Sequence, residues 1–165
     1  MENIVIKLYT DGGCSGNPGI GGWAFIIKCQ QGNEATHTLG ANWEPATTNN
    51  RMELSAIIYG LETLVNRGIT QYEVEVISDS SYCIKAFKDN WIKGWRRNNF
   101  MKNGKPMPNR DLWLRLEEVL KKIKVKDWIW VKGHASNKLN NLCDKYAVMS
   151  YKLKTSYYKC IDEEV

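Results

Sequence analysis

The chain predicts an α/β fold, a five-stranded mixed sheet flanked by helices with its first three strands antiparallel. Three observations carry this. Short apolar runs rich in β-branched residues recur along the 165 residues. The first three runs are separated by tight polar turns, and the later ones by segments whose apolar residues repeat with a helical period.

Residues 4–10, Ile4-Val5-Ile6-Lys7-Leu8-Tyr9-Thr10, form the first strand, and Asp11 to Gly19 a turn rich in Gly, Asn and Pro. Residues 23–28 and 35–42 form the second and third strands, joined through Gln30-Gln31-Gly32-Asn33. Connections this short make an antiparallel meander. From about 50 to 66 the period turns helical through Met52, Ala56, Tyr59, Leu61, Leu64 and Val65, with Gly68 as a stop. Residues 73–78 form the fourth strand, followed by a short helix over about 80–88. Gly94, Asn103-Gly104, Pro106 and Pro108 interrupt the next segment, which predicts a short helix plus loop. Residues 111–123 are helical, with Leu112, Leu116, Val119, Leu120 and Ile123 on one side. Residues 128–132 form the fifth strand and 138–153 the last helix. One domain spans 1–155. The tail 156–165 has few apolar residues and is expected to be weakly ordered.

The length suffices for one domain with a hydrophobic core. No run reaches the ~18 apolar residues of a membrane span. The start, Met1-Glu2-Asn3-Ile4, lacks the basic and apolar regions of a signal peptide, so a cytoplasmic, free-standing protein is expected. The five cysteines, at 14, 29, 83, 143 and 160, are scattered with no Cys-x-x-Cys. They fit inert thiols in a reducing compartment rather than a disulfide framework or zinc site.

The net charge of +5 is local. Between 85 and 110 lie Lys85, Lys88, Lys93, Arg96, Arg97, Lys102, Lys105 and Arg110, with Asp89 the one acid. The rest of the chain is slightly acidic. Charge runs are usually solvated loops, but Trp91, Trp95 and Phe100 interleave with this one. Aromatic rings that pack on sugar or base, beside cations that meet phosphate, point to nucleic acid. Trp23, Trp43, Trp113, Trp128 and Trp130 read as packing residues.

Asp11, Glu53, Asp79 and Asp144 carry the chemistry. Asp11 and Asp79 each end an apolar run, Glu53 enters a helix, and Asp144 follows Gly133-His134-Ala135. If the first and fourth strands are parallel neighbours, Asp11 and Asp79 meet at their carboxyl ends, where open α/β sheets place their sites. Clustered carboxylates do not all ionise cheaply without a cation, and hard oxygen ligands suit magnesium or manganese. Each residue also has a plain reading. Asn50-x-x-Glu53 fits a helix capping box, Asp79 a helix cap, Asp11 a turn and Asp144 a solvated helix.

The blocks Tyr9 to Ala24 (YTDGGCSGNPGIGGWA), Thr47 to Leu54 (TTNNRMEL), Ser78 to Tyr82, Val131 to Ala135 and Cys143-Asp144 resemble ribonuclease H of type I, in that family's order and over nearly the whole chain. The stretch 91–108 is similar to the basic handle of the cellular enzymes. The resemblance implies a ribonuclease H-like fold and cleavage of the RNA strand of an RNA–DNA hybrid, leaving 5′-phosphate and 3′-hydroxyl ends. It implies two magnesium ions among Asp11, Glu53, Asp79 and Asp144, replaceable by manganese and bridged by at least one carboxylate, with Asp11 the candidate. His134 is implied in proton transfer or product departure. Substrate contacts are implied at Gly12, Gly13, Cys14, Asn17, Thr48, Asn49, Ser81, Trp91, Trp95, Arg96, Arg97 and Asn109. A monomer without an obligate protein partner is expected. The chain departs from the family's pattern at Ser81, where many bacterial members carry glutamine, and at Asn141, which replaces a common acid. A hybrid-binding module without activity and a transposase- or resolvase-like nuclease are the alternatives. The intact carboxylates oppose the first, and the TTNNRMEL block and basic handle oppose the second.

Overall fold

The computed structural model describes residues 3–133 and 135–162. Its main sheet has six strands: β1 (Ile4–Ser15), β2 (Gly19–Gln31), β3 (Glu34–Thr47), β4 (Val74–Ser78), β7 (Val125–Trp130) and β8 (Tyr157–Cys160). Their spatial order is β7-β4-β1-β2-β3-β8. The first three are antiparallel neighbours, as expected, while β4 lies parallel to β1 and β7 parallel to β4. Helix α1 (Asn49–Asn66) supplies the long crossover that brings β4 parallel to β1.

Alternation along the strands divides the core. Leu8, Trp23, Phe25 and Ile27 face α1, α2 (Ser81–Lys88) and α4 (Arg110–Leu120). Tyr9, Ala24, Ile26 and Leu39 face α5 (Lys138–Leu153). Covering both faces with helices explains why the strands read as near-continuous apolar runs.

Four local expectations are revised. The first strand does not stop at Thr10: the glycine-rich stretch through Ser15 continues it, pairing Asp11 with Ala24 and Ser15 with Ile20. Glycine on both strands hid this extension, because strand composition normally lacks glycine. Part of the tail forms a strand, Tyr157–Cys160 pairing antiparallel with Thr38–Ala41, while residues 163–165 lie outside the described residues. Tyr157 packs edge-on to Tyr146 with ring centres 5.2 Å apart, and the Lys159 ammonium lies 5.1 Å over the Tyr146 ring. Two tyrosines supply the half-buried surface that aliphatic residues supply elsewhere.

Within the handle, α3 (Trp91–Arg97) leads not to a plain loop but to a two-strand ribbon, β5 (Met101–Lys102) and β6 (Lys105–Pro106). Asn103 and Gly104 both have positive φ, 53° and 75°, the backbone of a two-residue hairpin turn. Finally, Thr48 rather than Asn50 caps α1, its hydroxyl accepting from the Arg51 amide at 3.3 Å. Among the described residues no helix is long and apolar enough to cross a membrane.

Candidate active site

The parallel pairing of β1 with β4 ends at Thr10 opposite Ser78. The next residues, Asp11 and Asp79, therefore emerge together at the carboxyl end of the sheet. Gly12 brings the third acid to them. A Cβ at Gly12 would lie 2.3 Å from the Met52 carbonyl carbon and 2.6 Å from the Glu53 nitrogen, so only glycine lets the start of α1 rest on β1. Ligand oxygens of Asp11, Glu53 and Asp79 consequently lie within 4.8 Å of one another.

The plain roles open to these residues are filled by others. Thr48 caps α1, so Glu53 is not needed there. Ser80 caps α2 by accepting from the Cys83 amide, so Asp79 is not needed there either.

Burial makes the cluster electrically costly. Asp11 is 4% exposed and Glu53 8%. Burial, then the charges of Asp79 and Asp144, raise the Asp11 pKa to about 8, opposed by a hydrogen bond with Glu53 and by the Gly12 amide, which donates to Oδ1 at 2.8 Å. Burial, then Asp11 and Asp79, hold Glu53 well above the usual carboxylate range. Glu53 Oε2 is buried with no hydrogen-bond partner among the described residues. Such an oxygen is expensive unless something electropositive meets it. An all-oxygen donor set with a buried orphan fits a hard divalent cation.

Asp144 stands outside this group of three. It lies partly buried on α5, and its charge contributes to the shift at Asp11. The preceding Cys143 is fully buried, its thiol 3.5 Å from the Tyr9 carbonyl, which fixes α5 beneath the site. His134 lies outside the described residues. Its neighbour Gly133 packs on Asp79, since a Cβ there would lie 2.7 Å from Oδ2. Asn141 donates from Nδ2 to the Ala135 carbonyl at 2.8 Å, a bond that an acid in its place would not make.

The expected substrate residues fall into two patches. In the first, Asn49 Oδ1 accepts from the Cys14 amide at 2.9 Å, and Asn17 Oδ1 accepts from the Asn49 amide at 3.1 Å. These bonds knit Gly13, Cys14, Asn17, Thr48 and Asn49 into one surface beside the carboxylates. In the second, Trp91 is 45% exposed, while Trp95 lies edge-on to Trp113 with ring centres 5.0 Å apart. Arg96 pairs with Glu117, which ties the handle to α4, and Arg97 is exposed. Ser81 is exposed at the start of α2. Asn109 is committed internally: its amide nitrogen donates to the Tyr82 hydroxyl at 3.2 Å and its oxygen accepts from Arg51 at 3.4 Å.

Sequence reasoning missed Trp130. The sequence reads it as a packing residue, yet it is 51% exposed and its indole Nε1 donates to the Asp79 carbonyl at 3.1 Å. Its position at the carboxyl end of a strand beside the one carrying Asp79 was the available signal.

A family model described as RNase H matches residues 3–152. Ribonuclease H of a Thermoanaerobacter species is 47% identical over 152 residues, covering 92% of this chain and 92% of its own length. Ribonuclease H of Caldanaerobacter subterraneus subsp. tengcongensis is 45% identical over 152 residues, covering 92% of this chain and 94% of its own. Among solved structures, LC9-RNase H1, described as a type 1 RNase H with the type 2 active-site motif, is similar with a TM-score of 0.87 at 24% identity, over 99% of this chain and 81% of that one. LC11-RNase H1, solved in complex with RNA/DNA hybrid, has a TM-score of 0.67 at 22% identity, over 90% of this chain and 98% of that one. At these identities the solved structures establish the fold alone.

Proposed function

The chain belongs to the ribonuclease H family of metal-dependent endoribonucleases, and from that premise we propose that it cuts the RNA strand of RNA–DNA hybrids at the Asp11–Glu53–Asp79 cluster. The observation that carries the reading is Glu53 Oε2, buried and unpartnered among the described residues, in a group of oxygens within 4.8 Å of one another at the end of two parallel strands. Asp11, Glu53 and Asp79 would hold magnesium, with Asp144 as a further ligand, in a two-ion arrangement that manganese also fits. When bound, the metal supplies Lewis-acid activation of water and neutralises charge developing on the phosphate.

The protein's own residues prepare this chemistry. The Gly12 amide fixes one oxygen of Asp11. Burial and the neighbouring carboxylates push the carboxyls of Asp11 and Glu53 toward their neutral forms, and a bound cation would favour the ionised ones, with the protons leaving to solvent. In this hydrolysis the oxygen of a water forms a new bond to phosphorus as the P–O3′ bond breaks, and a proton goes to the departing 3′ oxygen, leaving 3′-hydroxyl and 5′-phosphate ends. The Cys14–Asn17–Asn49 patch would meet the minor groove, where the 2′-hydroxyl distinguishes RNA from DNA. The handle would grip the DNA strand, Trp95 against a deoxyribose and Arg97 at phosphate. His134 is assigned proton transfer or help in product departure. The reading includes a monomer acting in the cytoplasm without an obligate protein partner, and the free cysteines at 14, 29, 83, 143 and 160 fit a reducing compartment.

The test is Asp11→Asn and Asp79→Asn with an end-labelled hybrid in magnesium. Both variants should bind the hybrid near the parental affinity and leave its RNA intact. Parental cutting by either variant would remove the acid cluster from the mechanism.

A further inference from the structure

Asp79 is the cluster member with the least regular backbone. The β4–β7 ladder pairs Ser78 with Trp130, and the Val131 amide still donates to the Ser78 carbonyl at 3.0 Å. One residue later the chain leaves the sheet and turns into α2 through Ser80, an extended cap residue with φ −82° and ψ 106°. The carboxylate therefore hangs from the junction of two elements.

Two side chains hold the peptide unit that joins Asp79 to Ser80. At one end, the Trp130 indole Nε1 donates to the Asp79 carbonyl at 3.1 Å. At the other, the Ser80 amide donates to Ser78 Oγ at 3.0 Å. A peptide is planar, so bonds at its oxygen and its nitrogen together fix the orientation of the whole unit. On the carboxylate itself, Gly133 lies close by, since a Cβ there would lie 2.7 Å from Oδ2. Burial does not explain the tryptophan, whose surface is 51% exposed. Trp128, two residues earlier on the same strand face, shows the packing alternative: its ring stacks on Phe87 with centres 3.8 Å apart.

We propose that Trp130 is a positioning residue whose indole N–H holds the Asp79 backbone, and so aims the Asp79 carboxylate at the divalent cation. The inference rests on the reading of the cluster as a metal site and names the group that keeps one ligand in place. Ligand groups supported by such outer hydrogen bonds bind their metal more tightly, because less ordering remains for the binding step. Trp130→Phe keeps an aromatic ring while removing the donor and some bulk, and Trp128→Phe controls for the loss of bulk.

The test compares the parent, Trp130→Phe and Trp128→Phe in three measurements. Calorimetric magnesium titration should show Trp130→Phe binding about three- to tenfold more weakly, the loss expected of one hydrogen bond. Trp128→Phe should match the parent. Hybrid cleavage should show kcat at limiting magnesium falling by a similar factor for Trp130→Phe, with KM for the hybrid unchanged. In the parent itself, the Trp130 indole proton should exchange slowly with water and shift when magnesium is added, which tests the assignment without any variant. A freely exchanging indole proton, or a Trp130→Phe protein with parental magnesium affinity, overturns the positioning role alone. A parent that neither binds magnesium at the cluster nor cuts hybrid overturns the metal reading as well.

Discussion

The acid cluster and the basic handle solve opposite problems. The cluster buries like charges at the ends of two strands, held by backbone register, a glycine contact and the core beneath. The handle carries cations on a seven-residue helix and a small ribbon. Its Trp95 reaches the core and its Trp91 stays in solvent. The first region is costly until a cation arrives. The second is a surface grip whose cations act through counterion release. The difference teaches that cutting and holding are built on separate parts of the fold and should separate under mutation.

The largest effect is expected at Glu53. Glu53→Gln keeps the shape but removes the charge that a cation needs, and should lower kcat by at least about a hundredfold, as loss of a transition-state electrostatic group does. Hybrid affinity should change little, by gel shift in magnesium. A comparable loss of binding would merge the two regions.

Next is the junction that builds the cluster. Gly12→Ala places a Cβ against the α1 backbone, where no flexible side chain can yield. It should destabilise the fold by about 1–3 kcal/mol and reduce cleavage at the same time, as measured by urea unfolding and turnover. Intact stability would show that β1 and α1 approach less closely than described.

The cluster's cost also predicts a pH dependence. Asp11 holds its proton in the fold up to about 8, whereas an ordinary aspartate releases it near 3.8. The folded state thus binds more protons across that window, and the metal-free protein loses stability as pH rises from about 4 to 8. Asp11→Asn should flatten this dependence and raise the unfolding midpoint in chelator at pH 8. Magnesium should stabilise the parent more than the variant. Unchanged pH dependence would remove the buried-charge account.

The smallest effect concerns the handle. Arg97→Ala should leave kcat unchanged, weaken hybrid binding and lower the slope of log affinity against log salt by about one. Arg96→Ala should do more, because Arg96 also ties the handle to α4 through Glu117. Identical salt slopes for the parent and Arg97→Ala would take this cation out of the grip.

The cluster was more legible in the sequence than its surroundings. Apolar runs ending in Asp11 and Asp79 put both acids at one edge if their strands are parallel neighbours, a condition that the sequence permits and the β1–β4 pairing meets. What escaped depended on contacts between distant residues. The strand through Gly12 to Ser15 exists because β2 answers it, although its composition reads as a turn. The choice of Thr48 over Asn50 as cap follows from where α1 begins on the sheet. Tyr157–Cys160 becomes a strand because β3 offers an open edge and Tyr146 a ring. Trp130 resembled its neighbour Trp128 in sequence, and only the turn of the chain after Ser78 gave its N–H an acceptor. The Asn103-Gly104 hairpin, by contrast, carried its own local signal in the two residues that tolerate positive φ.

The most direct measurement incubates the purified protein with end-labelled RNA–DNA hybrid, RNA duplex, DNA duplex and single-stranded RNA, each with magnesium and with chelator. The account predicts internal cuts confined to the RNA of the hybrid, present with magnesium and absent with chelator. Tight hybrid binding without cuts, or cuts in the DNA duplex, would contradict it.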